Sequence, residues 1–299
     1  MQIFYTDHFE LPLPQGHRFP MRKYAMLRVR VEAEKLCAGE SLRVPHAASD
    51  EQILRAHEAS YLKRVVSGTL APSEIRRIGF PWSPQMVERS CRSSGATLEA
   101  CRAALQQGLA VSLAGGTHHA FRDHGAGYCV FNDAAIAALA MQAEGRTSRV
   151  LIVDCDVHQG DGTAAIFADD PSVFTFSIHG ARNFPFRKTE SDLDIALPDF
   201  TGDDSYLASL QDGLCHAFSA SQPGLVIYLA GADPYEDDRL GRLSLSKDGL
   251  VRRDRLLFSM CADLEVPVAT VMAGGYAHAI EDTVDIHINT VRAAVSFAR

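Results

Sequence analysis

Apolar residues in this chain fall into two kinds of run. Five stretches are almost uninterrupted: AVSLAGG at 110–116, RVLIVDCD at 149–156, SVFTFSIH at 172–179, GLVIYLAGAD at 224–233 and VPVATVMAGGY at 266–276. A short apolar run of this kind, rich in β-branched residues and closed by Gly or Asp, reads as a strand buried on both faces. Between them, apolar positions return every three or four residues over 84–108, 131–145, 203–220, 247–264 and the C-terminal segment AIEDTVDIHINTVRAAVSFAR at 279–299. That is the period of a helix laying one stripe on a core. Alternation of such helices with strands that lack a polar face predicts a three-layer α/β/α domain around a mostly parallel sheet. The segments 180–202 and 234–246 hold Gly or Pro without either period and read as long loops over one end of that sheet. There is no internal repeat, and 299 residues with 46% hydrophobic content suffice for a single domain, 1–299.

In open sheets of this type, ligands bind beyond the carboxyl ends of the strands. Four of the five runs end there in polar chemistry: GGTHH, DCDVH, GAD and GGY. The second is the most concentrated, with Asp154, Asp156, His158 and Asp161 inside RVLIVDCDVHQGDG. Carboxylates taken out of water together need a positive or hydrogen-bonding partner, and a metal ion is the obvious one. If the strand conformation continues, Asp154, Asp156 and His158 project from one face. With Asp233 at the end of another strand, Asp156 and His158 make an O, O, N set suited to a catalytic Zn²⁺ with an open position for water.

Other residues gain meaning beside that set. Asp154 and Asp161 read as support for ligands rather than ligands, and an Asp such as Asp161 or Asp203 after a strand is by itself an ordinary helix cap. A carboxylate that accepts a ring N–H fixes the tautomer of a histidine, so His118 and His119 can form two dyads with Asp154 and Asp161, in a pairing that spacing leaves open. Tyr276, after two glycines, can reach back over the sheet end; a phenol there suits a carbonyl oxygen that becomes negative in a transition state. The remaining nine of the 12 histidines carry no such context.

Composition narrows the partners. A net charge of -8 with basic residues scattered among acids argues against a nucleic-acid surface. No apolar run is long enough to span a bilayer and the first residues lack a signal-peptide pattern, so a cytoplasmic protein is expected. Seven widely spaced cysteines, without a C-x-x-C pair, read as reduced thiols.

Taken together, GGTHHAFRDHGAGYCVFND, VDCDVHQGDGT, GADPYEDDRLGRLSLS and AGGYA resemble the histone deacetylase family over nearly the whole chain, and RRIGFPWSP and EDDRLGRLSLSKDGL resemble its class IV branch. The resemblance implies an arginase/deacetylase-like fold and a zinc-dependent amidohydrolase that removes an acetyl or longer acyl group from the ε-amine of lysine, in a protein, peptide or small N-acyl amine. It implies Asp156, His158 and Asp233 as ligands of Zn²⁺, with Fe²⁺ as an alternative. His118 and His119 match the family's histidine pair, supported by Asp154 and Asp161 respectively, and Tyr276 matches its catalytic tyrosine. Gly127, Tyr128 and Phe184 stand where the family has the walls of an acyl-lysine tunnel. A structural K⁺ is implied at Asp154, Asp156, the His158 carbonyl, Ser177 and the Ile178 carbonyl. Lys23, with Arg22 beside it, falls near a cation of an internal product channel.

The chain also departs from the pattern. The loop IGFPWSP has Gly79 or a neighbour where many relatives supply an aspartate to a peptide backbone, Tyr128 replaces a more usual phenylalanine, and the long loop of acetylpolyamine amidohydrolases has no counterpart. Three rival readings follow: an acetylpolyamine or other small-molecule amidohydrolase, a non-catalytic acyl-ligand module, and a ureohydrolase. The last needs acids two residues after the histidine and after the final aspartate, where this chain has Gly160 and Tyr235. The module has no need of a full acid–base set.

Overall fold

The computed structural model describes residues 1–298; the final residue of the expected C-terminal helix, Arg299, lies outside them. In chain order the elements are β1 (Gln2–Phe4), α1 (Lys23–Ala33), β2 (Leu42–Arg43), α2 (Asp50–Ala56), α3 (Ala59–Ser67), α4 (Pro72–Ile78), α5 (Pro84–Gln107), β3 (Leu109–Ser112), α6 (Asp133–Ala143) and β4 (Val150–Asp154). There follow α7 (Asp161–Phe167), β5 (Val173–Gly180), β6 (Leu193–Leu197), α8 (Asp203–Ser221), β7 (Leu225–Ala230), α9 (Lys247–Asp263), β8 (Val268–Met272) and α10 (Ile280–Phe297). The strands form one sheet in the order β2-β1-β3-β8-β7-β4-β5-β6, every pair parallel.

The apolar strands are apolar because both faces are covered. Along β4, Val150 and Ile152 enter one core while Leu151 and Val153 enter the other. The first core packs against α2, α5 and α6, the second against α8, α9 and α10. Each fully buried Val or Leu contributes about 1.5–3 kcal/mol relative to exposure. The longest of these helices, α5, starts where the Ser83 side chain accepts the Met86 N–H and Pro84 occupies the first turn, and it stops at Gly108, whose φ of 83° suits glycine.

The expected loop 180–202 is corrected here: it contains β6, an edge strand whose alternating exposure along LDIAL leaves only half its side chains covered. A strand without a continuous apolar run escapes a reading based on such runs. The segment 234–246 is irregular apart from isolated bridges, as expected. No helix among the described residues is long and apolar enough to cross a membrane.

The order of the strands positions the site. The chain leaves β3, makes β4 further across the sheet, and later inserts β7 and β8 between them. Because all are parallel, the turns after β3, β8, β7 and β4 open at one edge side by side, and they carry GGTHH, GGY, GAD and DCDVH.

Candidate active site

The strand β4 ends at Asp154, so Asp156 and His158 are not aligned by a continuing strand as the period-two argument assumed. The chain bends instead, because the carboxylates capture nearby amides: Asp156 N–H donates to Asp154 Oδ1 at 3.1 Å and His158 N–H to Asp156 Oδ1 at 2.9 Å. The bend carries Asp156 and His158 to Asp233, which follows β7. One ligand atom from each of the three lies within 4.8 Å of the others. His158 Nδ1 is 2.9 Å from Asp156 Oδ1 and 3.3 Å from Asp233 Oδ2.

This trio fits a divalent cation. Both carboxylates are buried; Asp156 Oδ2 accepts the Gly274 N–H at 2.7 Å and Asp233 Oδ1 that of Val157 at 2.9 Å. Asp233 Oδ2 is left buried without a hydrogen-bond donor. Burial, with the Asp156 charge beside it, pushes the Asp233 carboxyl up to about 7. Burial presses the His158 imidazole down, but its bond to Asp156 and the nearby charges of Asp156 and Asp233 outweigh that and raise it to about 10. Both shifts say that the cluster draws in positive charge, and two oxygens with one imidazole nitrogen are the donors of a zinc site. A Cβ on Gly160, where a second metal would need its acid, collides with Asp154 Oδ2.

His118 and His119 lie on the turn after β3, which Asp133 holds: its carboxylate accepts the N–H groups of Gly116 at 3.1 Å and Thr117 at 2.7 Å. The open pairing resolves. His118 Nδ1 lies 2.6 Å from Asp154 Oδ2, and His119 Nδ1 lies 2.6 Å from Asp161 Oδ1. With rings 4.1 Å apart the two histidines differ in charge. Burial lowers His118, yet the Asp154 and Asp156 charges overcome it and raise the ring to about 9. Burial and the neighbouring His118 charge lower His119 to about 4.

Tyr276 sits beside this group on a turn only glycine permits. Gly275 has φ 155°, and any Cβ on Gly274 would overlap Asp233 Oδ2. Asp238 fixes the turn by accepting the N–H groups of Tyr276, Leu240 and Gly241 at 2.6, 2.8 and 2.9 Å. Asp133 and Asp238 are absent from the sequence reading; an acid followed two or three residues on by amides in a Gly-containing loop is the signal that points to Asp238.

Above the cluster, Gly127, Tyr128 and Phe184 line a cavity of about 550 Å³ together with His118, His119, Asp156, His158 and Tyr276. The Phe184 ring meets His119 edge-on at 4.8 Å. Tyr128 packs on Gly79, where a Cβ would stand 2.9 Å from its ring, and the loop 79–84 carries no acid. The cavity reaches Lys23, which is buried and donates to the Ala273 carbonyl at 3.2 Å. Arg22 is exposed at the N-cap of α1 and does not line it, because consecutive residues at a helix start point apart. Ser177 lies beside Asp154 in the β4–β5 register, with its hydroxyl 3.0 Å from His179 Nδ1, and Ile178 follows it in the buried interior.

Comparison with known proteins gives the family and the fold. The chain matches the family model described as Histone deacetylase domain over residues 17–291. An uncharacterized protein of Picosynechococcus sp. is 44% identical over 292 residues, 98% of this chain and 97% of that one. The histone deacetylase-like amidohydrolase of Pseudomonas aeruginosa is 28% identical over 288 residues, 90% of this chain and 74% of that one. In fold, a solved HDAC homolog complexed with SAHA superposes with a TM-score of 0.85 at 22% identity, over 99% of this chain and 83% of that one. A family match that runs through all four polar strand ends, on a sheet of the same architecture, makes this chain a member of the histone deacetylase family of amide-bond hydrolases.

Proposed function

We propose that the chain hydrolyses the amide of an Nε-acyl-lysine, acetyl or longer, in a protein, a peptide or a related small N-acyl amine. The observation that carries this reading is the pair of Asp–His dyads set against the Asp156, His158, Asp233 cluster: a pocket that only holds an acyl group gains nothing from two adjacent histidines, one charged and one neutral.

Held by Asp156, His158 and Asp233, Zn²⁺, or Fe²⁺ on the same donors, supplies a Lewis acid for the carbonyl and brings the pKa of a water near about 7. The chain's own residues do the rest. His119 is neutral at pH 7 and its Nδ1 is engaged by Asp161, so Nε2 is free to take the proton of the attacking water and return it to the leaving amine. His118, charged through Asp154 and Asp156, remains a fixed positive field. Burial raises the Tyr276 phenol well above its usual range, which keeps it a proton donor to the developing oxyanion at neutral pH. Tyr128 and Phe184, with Gly127 between wall and backbone, enclose the aliphatic stem.

The cavity of about 550 Å³ extends past the metal cluster to Lys23, which leaves room for an acyl chain longer than acetyl. Asp154, Asp156, Ser177 and the carbonyls of His158 and Ile178 would hold K⁺, whose charge offsets the buried acids at the end of β4. Seven unpaired cysteines suit the reducing cytoplasm as the place of action. A neutral fluorogenic panel of acetyl-, trifluoroacetyl- and long-acyl-lysine tests the reading. Product that disappears with a chelator and returns with zinc supports it; no product from any of them, with zinc bound, overturns it.

A further inference from the structure

The mouth of the cavity is far more basic than the chain that builds it. The chain's net charge is -8. Yet Asp156, at the metal cluster, is the one carboxylate among the described residues that line the cavity, while exposed Arg76, Arg77, Arg182 and Arg242 line it as well.

These arginines stand on two walls. Arg76 and Arg77 are in the last turn of α4, and the Arg77 carbonyl accepts the Gly127 N–H at 3.0 Å while that of Ile78 accepts the Tyr128 N–H at 2.7 Å. That pair is therefore tied to the Tyr128 wall. On the other side Arg182 is two residues from Phe184, and Arg242 joins it through Asp199, whose Oδ2 lies 2.9 Å from Arg242 Nη1 and 3.8 Å from Arg182 Nη1. Asp199 offsets one charge of the four. The acids whose fields reach Arg77 are engaged elsewhere, Glu74 by Arg64 at 3.1 Å and Asp123 by His124 at 2.6 Å. Neither Arg76 nor Arg77 makes an ion pair or side-chain hydrogen bond among the described residues. Like charges gathered round an opening repel one another, and an anionic ligand relieves them.

We propose that this rim selects acyl-lysines set in acidic sequence. Carboxylates flanking the acylated lysine meet Arg76 and Arg77 on one wall and Arg182 and Arg242 on the other, while the stem enters between Tyr128 and Phe184. A guanidinium matches a carboxylate through two parallel hydrogen bonds, which suits this role. The loop 79–84 has no acid to hold a peptide backbone, so the arginines are the docking groups at that wall. The same field opposes basic peptides and N-acylated polyamines, whose free amines are cationic. This rests on the acyl-lysine reading above and names its substrate class.

The test uses one acyl-lysine flanked on each side by two glutamates, two alanines or two lysines. kcat/KM should fall in that order, with the extremes about 10–100-fold apart in about 20 mM salt and within about 3-fold in about 500 mM. The full-length variant R76E/R77E/R182E/R242E should reverse the order, and the corresponding four glutamines should flatten it. Binding of the same peptides by fluorescence anisotropy reads the rim without turnover. If no acyl-lysine is hydrolysed, the hydrolase reading falls while the binding order still decides this one. Equal values for the three peptides at low salt, a preference for lysine, or an order unchanged in the glutamate variant overturns the proposal. So does an RNA oligonucleotide that binds more tightly than the glutamate peptide and displaces it.

Discussion

His119 Nδ1 lies 2.6 Å from Asp161 Oδ1, and that contact decides which ring nitrogen is left for chemistry. With a carboxylate on Nδ1, Nε2 carries no proton and can accept one. His119→Ala should lower kcat on a neutral acyl-lysine substrate by about 10²–10⁴-fold. Asp161→Asn, which offers an amide in place of a pure acceptor, should lower it by about 10–100-fold. Zinc content should be unchanged in both. An His119→Ala variant with wild-type kcat means that another group is the base.

Tyr276 offers a test of the oxyanion role. Its ring is buried and its backbone is pinned by Asp238 at 2.6 Å, so removing the hydroxyl should disturb little else. Tyr276→Phe should cost about 10²–10³ in kcat while the dissociation constant for an unhydrolysed substrate analogue stays within a few fold. A loss confined to KM would place the phenol in substrate binding.

Gly274 bears on the Asp156, His158, Asp233 cluster without belonging to it. Its amide holds Asp156 Oδ2 at 2.7 Å, and a Cβ would overlap Asp233 Oδ2. Gly274→Ala should therefore weaken zinc binding at least about 10-fold, in line with changes to groups that orient ligands, while far-ultraviolet circular dichroism stays native. Zinc affinity equal to that of the wild type would show that the turn has room to yield.

His57 makes stability depend on pH. It is buried, with Nδ1 2.8 Å from the Phe121 carbonyl and Nε2 accepting the Asn132 N–H at 2.9 Å, and burial lowers its pKa to about 4 from 6.5. Between those values the unfolded chain binds the proton and the folded one does not, so stability rises with pH. The contribution is complete above pH about 6.5 and is lost on acidification towards pH about 4, where roughly 3 kcal/mol has gone. Denaturant unfolding from pH 4 to 7 should show a shallower slope for His57→Gln than for the wild type; parallel slopes would contradict the assignment.

The legibility of this chain followed burial. β3, β4, β5, β7 and β8 were readable because both of their faces are apolar, whereas β6 alternates and β1 and β2 are two or three residues long. Asp156, His158 and Asp233 were readable as a set because parallel strands bring their ends together whatever the details. The His118–Asp154 and His119–Asp161 pairing came only through the family resemblance and not from spacing, since the bend after Asp154 depends on side-chain capture of amides. Asp133 acts on backbone N–H groups and two threonine hydroxyls, Asp238 on backbone N–H groups, and of the two only Asp238, ahead of its Gly-containing loop, leaves a signal in the sequence. The rim arginines, at 76, 77, 182 and 242, look scattered in a net acidic chain and become a charged ring only when folded.

Zinc titration into chelated protein, with acyl-lysine hydrolysis followed in the same samples, tests the central claim most directly. Activity should climb in step with bound zinc and level off at one ion per chain, and Asp233→Ala should take up none. Hydrolysis at full rate by zinc-free protein, or a folded chain that binds no zinc when it is abundant, would contradict the account.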